Sequence, residues 1–227
     1  MTKKEEAALK RAEKLKKERE RLSQMMEYER LHASCAVICG IDEAGRGPFA
    51  GPVVAAACVL DLEDPEKEIL YLNDSKKLSE KRREALFTEI KEKAVCYGVG
   101  IVDSRTIDEI NILQATYKAM QIAIAALDPK PDFVLADAVT IPEIGIEQEA
   151  IIKGDAKSVS IAAASILAKV TRDHIMYEYD KQFPEYGFGS NKGYGTKAHI
   201  EAIKEYGMLP IHRRSFIHFN TFERNDI

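Results

Sequence analysis

Two adjacent acids and a glycine-flanked arginine stand together early in the chain. Asp42 and Glu43 follow the apolar run 36–39, which is typical of a buried strand, and the turn Gly45-Arg46-Gly47 comes directly after them. Carboxylate oxygens are the ligands that hard divalent cations prefer. A glycine-flanked turn lets backbone N–H groups approach a phosphate closely, with the arginine alongside. A metal site beside a phosphate cradle predicts chemistry on a phosphodiester.

Two further acids occupy comparable positions later in the chain. Asp137 ends the apolar run 133–136, and Asp155 precedes the alanine-rich run 159–170. Acids at the ends of neighbouring strands can converge on one spot outside the sheet edge. Asp155 alone is equally well explained as a helix cap, whereas a turn explains Asp137 poorly because it ends an apolar strand. Together, the four acids favour a divalent-metal site.

The elements that position these acids follow from hydrophobic patterning. Strands are predicted at residues 36–42, 52–60, 96–102, 133–137 and 149–153. Helices are predicted at 79–93, at 159–170, and from a Thr106-x-x-Glu109 capping box to residue 127. One face of the last of these carries a stripe predicted to be core: Ile110, Leu113, Tyr117, Met120, Ile124 and Leu127. Strands that first pair and then alternate with helices predict an α/β domain with a mixed sheet and helices on both faces.

The first 34 residues differ in composition from the rest. Residues 3–30 hold ten Lys/Arg and seven Glu without Gly or Pro, which predicts one long, mostly solvated helix with a thin apolar stripe. We therefore divide the chain into a charged helical extension, 1–34, and a catalytic domain, 35–227. The extension is either a surface appendage that adds little to the core or an auxiliary arm for nucleic acid or a partner.

Composition narrows the class of protein. The chain has 227 residues, enough for one large domain with an appendage, and 45% are hydrophobic. It has no run of 18 apolar residues and no apolar N-terminal stretch, so neither a membrane span nor a secretory signal is predicted. Four cysteines without a C-x-x-C pair favour free thiols in a reducing compartment, the cytoplasm. The net charge of −4 does not by itself suggest nucleic acid, yet 153–219 hold ten Lys/Arg against seven acids.

Three loops carry residues that suit phosphates or sugars. Ser75 and Lys76 follow Asp74 in a loop that could touch a phosphate or be a solvated turn. In 186–197, glycines, aromatic residues and lysines interleave, which fits stacking on a sugar or base but also a flexible connection. Residues 212–215 form a basic cluster or a capped surface turn. Asp173, late in a helix, has an arginine partner, supports the site from behind its ligands, or lies on the surface.

At these residues the chain resembles the type 2 ribonuclease H family, and more closely its bacterial ribonuclease HII branch. The matching segments run in family order and are 40–48, 74–78, Asp137, 153–173, 192–196 and 212–216. The heptapeptide that begins at Asp42 is very specific, and Arg46 stands where the related ribonuclease HIII typically has lysine. The resemblance implies a ribonuclease H-like fold, with a mixed, largely five-stranded sheet, flanking helices and a helical C-terminal part.

The resemblance also implies an activity and a set of site residues. It implies endonucleolytic cleavage of RNA in RNA/DNA hybrids and at single ribonucleotides in duplex DNA, 5′ of the ribonucleotide, leaving 3′-OH and 5′-phosphate ends. Such substrates are the expected partners, no membrane is involved, and the chain is expected to act as a monomer. By this resemblance Asp42, Glu43, Asp137 and Asp155 hold the metal. Gly45, Arg46 and Gly47 read the 2′-OH and its phosphates, and Tyr194 packs on the junction sugar.

Two divalent ions fit this chemistry. Two Mg²⁺ ions about 3.5–4 Å apart can activate water and stabilise the leaving oxygen of an in-line displacement. Mn²⁺ has similar oxygen-ligand preferences and is expected to substitute.

Two alternatives remain at this stage. Residues 42–45 superficially resemble the metal-binding box of a helicase. The chain lacks the phosphate-binding loop G-x-x-x-x-G-K-[S/T], which argues against an ATP-driven motor. A non-catalytic hybrid-binding module would be favoured by loss of one of the four acids, and all four are present.

Overall fold

The computed structural model describes residues 2–217, so the end of the predicted catalytic domain lies outside the described residues. Its centre is a five-stranded sheet built from β1 (Ile38–Ala44), β2 (Val53–Val59), β3 (Cys96–Val102), β4 (Phe133–Asp137) and β5 (Glu147–Ile151). The strand order is β3-β2-β1-β4-β5. β1 pairs antiparallel with β2 and parallel with β4, so the sheet is mixed, as predicted.

Seven α-helices lie along the described chain: α1 (Lys3–Met25), α2 (Glu27–Leu31), α3 (Glu80–Lys93), α4 (Ser104–Ala125), α5 (Val159–Gln182), α6 (Phe188–Asn191) and α7 (Lys197–Tyr206). Strand alternation sends side chains of β2 to both faces of the sheet. Val53 and Ala55 pack in the cluster that contains α4, whereas Ala56 and Cys58 pack in the cluster that contains α3 and α5. Helices on both faces of the sheet confirm the predicted layering.

The register of the parallel pair places two candidate acids at one edge. Ile41 of β1 lies opposite Ala136 of β4. The next residues along the two strands are Asp42 and Asp137. Because parallel strands end at the same edge of a sheet, the two acids are neighbours.

Helix α4 differs from the sequence prediction at its start and in its stripe. Its N-cap is Asp103, which accepts a hydrogen bond from the Thr106 N–H, so the predicted capping box at Thr106 is wrong. Asn111 breaks the helix with φ 65° and ψ 165°, and its side-chain oxygen accepts the backbone N–H groups of the next turn. The helical phase restarts there, so Leu113 is 41% exposed although the predicted stripe continues correctly at Met120.

The N-terminal extension is only half solvated. Residues 4–17 are almost entirely exposed, as predicted. Leu22 and Met25 of α1 are each 6% exposed and belong to the cluster of α3 and α5. The Arg21 guanidinium donates to the Leu72 carbonyl at 2.6 Å. The expectation of little contribution to the core is therefore wrong for the second half of the extension, because its apolar residues cluster there.

The C-terminal part is helical, as predicted. A third apolar cluster joins α5, α6 and α7 through Met176, Phe188 and Ile203. Residues 186–197, one prediction for which was a flexible connection, contain α6 and the N-cap of α7. Other bounds shift as well: β1 runs two residues later than predicted, β5 two residues earlier, and α5 continues to Gln182. Among residues 2–217, none of the helices combines the length and apolar character needed to cross a membrane.

Candidate active site

Three of the four predicted acids converge at the sheet edge. One carboxylate oxygen each from Asp42, Asp137 and Asp155 can be chosen so that all three lie within 4.8 Å of one another. Asp42 and Asp137 come from the ends of β1 and β4, and Asp155 lies in the 3₁₀ turn Gly154–Ala156 after β5. Asp137 accepts the Gly154 N–H at 2.7 Å, which ties this turn to the strand end.

Glu43 lies beside this group but does not join it. Consecutive strand residues point to opposite faces, so Glu43 diverges from Asp42. Its carboxylate lies 3.4 Å from the Arg46 guanidinium. Burial raises the Glu43 pKa and Arg46 partly offsets this rise, while the Asp137 charge adds to it, so the two carboxylates interact.

Asp155 does not have the structural role that a cap would give it. The N-cap of α5 is Ser158, whose hydroxyl accepts the Ile161 N–H at 3.1 Å. Asp155 is 9% exposed. Asp155 is thus not explained as the cap of α5.

The acids repel one another and are poorly hydrated. Burial, followed by the charges of Glu43 and Asp137, raises the pKa of Asp42 well above its ordinary value. Burial, followed by the charges of Asp74 and Asp137, raises the pKa of Asp155 to about 6. Both shifts show that the carboxylate form is disfavoured here without a cation.

The sequence pattern did not indicate that Asp74 lies close to Asp155. It lies close enough to Asp155 for its charge and a side-chain hydrogen bond to raise the pKa of that residue. It also accepts the Lys76 N–H at 2.9 Å, which shapes the loop that carries Ser75 and Lys76. A solvated turn therefore does not describe this loop.

The predicted substrate-binding residues line one groove together with Asp42 and Glu43. A cavity of about 550 Å³ is bordered by Asp42, Glu43, residues 44–47, Ser75, Lys76 and Tyr194. Tyr194 is 49% exposed, and its ring lies beside Gly47, where an added Cβ would be 3.6 Å from Cε1. Lys76 and Arg46 are exposed at the rim. The groove therefore combines carboxylates, cations and an available aromatic ring.

The same groove contains residues that the sequence did not single out. Ile112 enters it directly after the α4 break. The Ser165 and Ser75 hydroxyl oxygens lie 2.8 Å apart, and a hydrogen bond from Ser165 lowers the Asp42 pKa, which partly offsets the burial. Lys169 also borders the groove, and its ammonium lies 2.6 Å from the Asp173 carboxylate. Asp173 thus pairs with a lysine four residues earlier, a spacing that was visible in the sequence.

Glycine and a buried arginine set the shape of the turn after Glu43. Gly45 has φ +93°, which favours glycine, and a Cβ there would overlap the Arg172 side chain. Arg172 is 1% exposed and donates to the carbonyls of Pro52, Ala50 and Lys192, each at 3.0 Å. Burial lowers its pKa to about 10, so it remains charged at neutral pH.

The donor set fits a hard divalent cation. Three carboxylates face one another, two of them with raised pKa values, and a cation between them would replace repulsion with attraction. The ligands are all oxygen, and they leave space on the groove side for a phosphate oxygen or water to complete the coordination. Asp42, Asp137 and Asp155 are therefore the candidate ligands, with Glu43 adjacent.

Known proteins provide an independent comparison. The family model described as Ribonuclease HII matches residues 39–219. The ribonuclease HII of Lachnoclostridium phytofermentans is 60% identical over 207 residues, covering 91% of this chain and 80% of that protein.

The fold also resembles solved structures. The ribonuclease H2 of Pyrococcus horikoshii OT3 aligns with a TM-score of 0.65 and 32% identity, covering 79% of this chain and 93% of its own. The PCNA:RNase HII complex of Archaeoglobus fulgidus contains a chain that aligns with a TM-score of 0.67 and 30% identity, covering 80% of this chain and 96% of its own. These alignments confirm the predicted ribonuclease H-like fold.

Proposed function

The chain belongs to the ribonuclease HII family of metal-dependent endoribonucleases that act on RNA/DNA hybrids, and from this premise we propose that it also incises duplex DNA 5′ of a single ribonucleotide. The observation that carries the proposal is the shared groove. Asp42 and Glu43, the glycine turn and the exposed Tyr194 border the same cavity, and Asp137 and Asp155 group with Asp42 at its edge. Cleavage chemistry and recognition of one sugar can therefore act on the same nucleotide.

Each group has a proposed role. The backbone of Gly45 and Gly47 approaches the 2′-OH, which is the only sugar group that marks a ribonucleotide. Arg46, Lys76 and Ser75 contact flanking phosphates. The Tyr194 ring packs on the adjacent deoxyribose. Recognition of one sugar then places the 5′ phosphodiester at the carboxylates.

The carboxylates hold the catalytic ions in this proposal. Asp42, Asp137 and Asp155, with Glu43 beside them, would bind two Mg²⁺ or Mn²⁺ ions, which when bound activate water and stabilise the leaving oxygen. Water is the nucleophile in this scheme, and no side chain of the protein attacks the phosphodiester. Asp137 also holds the Gly154 N–H, which keeps Asp155 facing the strand ends.

We further propose that the protein works as a monomer in the cytoplasm, and that 1–34 and 35–227 are its extension and its catalytic domain. All four cysteines are free, and Cys39 and Cys58 are buried among apolar neighbours, which suits a reducing compartment. Burial raises the pKa of Cys39 to about 12, so this thiol stays protonated.

The proposal is tested with three labelled duplexes of one sequence: an RNA/DNA hybrid, DNA with one ribonucleotide, and DNA alone. With Mg²⁺ we expect cleavage of the first two and none of the third, and EDTA abolishes both activities. Incision 5′ of the ribonucleotide should leave a 3′-OH on the DNA and a 5′-phosphate on the ribonucleotide. Cleavage of the hybrid alone would refute the single-ribonucleotide activity, and hybrid binding without cleavage would favour a non-catalytic module.

A further inference from the structure

A buried arginine holds the turn that follows the first two acids. Arg213 is fully buried, and the structure gives it no carboxylate within salt-bridge distance among residues 2–217. Its guanidinium instead donates to backbone carbonyls: Nη1 to Arg46 at 2.9 Å, and Nη2 to Gly45 at 2.6 Å and to Gly51 at 2.8 Å. With the turn's carbonyls held inward, its geometry depends on a residue about 165 positions away.

His212, the residue before Arg213, is linked to the second candidate substrate-reading segment, which carries Tyr194. His212 is 2% exposed, and its Nε2 lies 3.1 Å from Nε2 of the fully buried His199. His199 Nδ1 lies 2.9 Å from the Tyr194 carbonyl oxygen. The backbone N–H of Leu209 donates to His212 Nδ1 at 2.8 Å.

The tautomers of both histidines are fixed by the backbone groups at the two ends of this series of hydrogen bonds, the Leu209 N–H and the Tyr194 carbonyl. Because His212 Nδ1 accepts the Leu209 N–H, the proton of neutral His212 lies on Nε2 and points at His199. His199 must then accept at Nε2 and donate from Nδ1 to the Tyr194 carbonyl. Burial lowers the pKa of both residues, that of His212 to about 4, so the neutral pair is the form present near neutral pH.

Backbone contacts bring the two segments together at the same place. Ala50 forms a β-bridge with His212, and the Arg213 N–H donates to the Phe49 carbonyl at 2.7 Å. The Phe49 N–H in turn donates to the Gly193 carbonyl at 2.8 Å. A rigid connection therefore runs from residues 45–51 through His212-Arg213 to Tyr194.

We propose that His212 and Arg213 are positioning residues that set the spacing between the Gly45-Arg46-Gly47 turn and Tyr194, and thereby set selectivity for a ribonucleotide–deoxyribonucleotide junction. The inference rests on the proposed function of these two segments. Both residues are buried and neither borders the groove, so they act on a substrate only through these two segments. A junction demands that the 2′-OH and the next sugar be read together, whereas a continuous hybrid offers a 2′-OH at every position of its RNA strand.

Lysine cannot replace the arginine in this arrangement. The guanidinium fork satisfies three carbonyls in fixed directions, whereas an ammonium is a compact charge with a different reach. Gln at position 212, by contrast, can still donate to His199, and leucine cannot. Position 212 therefore offers a graded pair of variants, and position 213 offers one.

The experiment compares Arg213→Lys, His212→Leu and His212→Gln with the wild type. For each, kcat and KM are measured on the single-ribonucleotide duplex and on the continuous hybrid, and the ratio of the two kcat/KM values is the selectivity. Displacing reading groups by about 1 Å costs on the order of 100-fold in rate on the substrate that needs both groups. We expect Arg213→Lys and His212→Leu to lower selectivity about tenfold or more, and His212→Gln to retain most of it.

Ile203→Val is the matched control. Ile203 is 2% exposed in the apolar cluster that joins α5, α6 and α7, and its side chain makes no hydrogen bond to the glycine turn or to Tyr194. It should lower thermal stability slightly and leave selectivity unchanged. Equal losses on both substrates for the folded variants would overturn the positioning role. Should Arg213→Lys fail to fold, the two His212 variants decide the question alone. A wild type that does not cut the single-ribonucleotide duplex would instead refute the proposed function itself.

Discussion

The carboxylate edge and the glycine turn meet at one groove through Asp42, but they are stabilised in opposite ways. At the carboxylate edge, Asp42, Asp137 and Asp155 are like charges held together by rigid strand ends, with two raised pKa values as the result. At the glycine turn, Arg213 donates to the carbonyls of Gly45 and Arg46, and Arg172 donates to the Ala50 carbonyl a few residues further on. The first region needs an external cation, whereas the second is complete within the chain.

This contrast indicates where substitutions should act. Removing a charge from the carboxylate edge relieves repulsion, so it should damage catalysis while sparing stability. Removing a buried donor from the turn leaves carbonyls unsatisfied, so it should damage both. Activity and stability therefore separate the two regions.

The largest effect is expected for Asp137→Asn. Asparagine keeps the size of the side chain and can still accept the Gly154 N–H, but it removes a negative charge from the candidate metal site. We expect cleavage to fall by orders of magnitude, hybrid binding to persist, and the melting temperature in EDTA to be no lower than that of the wild type. Cleavage kinetics and calorimetry on one preparation provide the measurement.

Asp128→Asn serves as its control, since Asp128 is an exposed acid shortly before β4. It should cleave like the wild type. Near-normal Mg²⁺-dependent activity of Asp137→Asn would remove that residue from the site.

The next effect in size is expected for Tyr194→Ala. Loss of a stacked ring removes about 1–3 kcal/mol of binding, so single-ribonucleotide incision should fall roughly 10- to 100-fold. Because Tyr194 is 49% exposed, the melting temperature should change little. Tyr194→Phe keeps the ring and should keep most of the activity. Equal losses on a continuous hybrid would argue against reading of the junction.

A smaller effect concerns competition between protons and metal. Because the Asp155 pKa is raised to about 6, its neutral form is favoured in the folded protein below that pH. Without metal, this carboxyl therefore destabilises the fold as pH rises through about 6, and metal binding reverses the effect above it. Activity should decline below about pH 6. A tenfold higher Mg²⁺ concentration should move this acidic limb of the pH–activity profile to lower pH. A limb that does not respond to Mg²⁺ would contradict the competition.

Truncations of the extension should affect the active groove least. Deleting residues 1–17 should leave stability unchanged and weaken substrate binding a few-fold at low salt, because that segment is exposed and basic. Deleting 1–33 also removes Leu22 and Met25 from the core, which should lower the melting temperature by roughly 5–20 °C.

The longer deletion also removes a contact near Asp155. Glu29 is 3% exposed and accepts hydrogen bonds from the Ser158 hydroxyl and the Ser160 N–H at the start of α5. A melting temperature for the 1–33 deletion equal to that of the 1–17 deletion would show that these contacts add nothing.

The sequence revealed the carboxylate edge because its residues are short-range signals. An acid at the end of an apolar strand is recognisable by type and place, and the parallel order of β1 and β4 then brings Asp42 and Asp137 together. The divergence of Glu43 from Asp42 also follows from strand alternation.

The supports of the glycine turn could not be predicted in the same way. Arg213 looked like part of a surface basic cluster, and its role appears only when residues 45–51 fold against it. The break at Asn111, beside which Ile112 borders the groove, is by contrast local, because the Asn111 side-chain oxygen accepts the N–H groups of the next turn, and it was missed because apolar residues continue on both sides of it. Long-range contacts of polar groups leave no pattern in a single sequence.

The most direct test of the account is incision of one duplex with three different sugars at a single position: ribose, deoxyribose and 2′-O-methylribose. We predict Mg²⁺-dependent incision 5′ of the ribonucleotide, with 3′-OH and 5′-phosphate ends, and no incision of the other two duplexes. The methyl group removes the donor and blocks the close approach of the glycine turn. Efficient incision of the deoxyribose or 2′-O-methyl duplex would contradict the claim that the turn reads the 2′-OH.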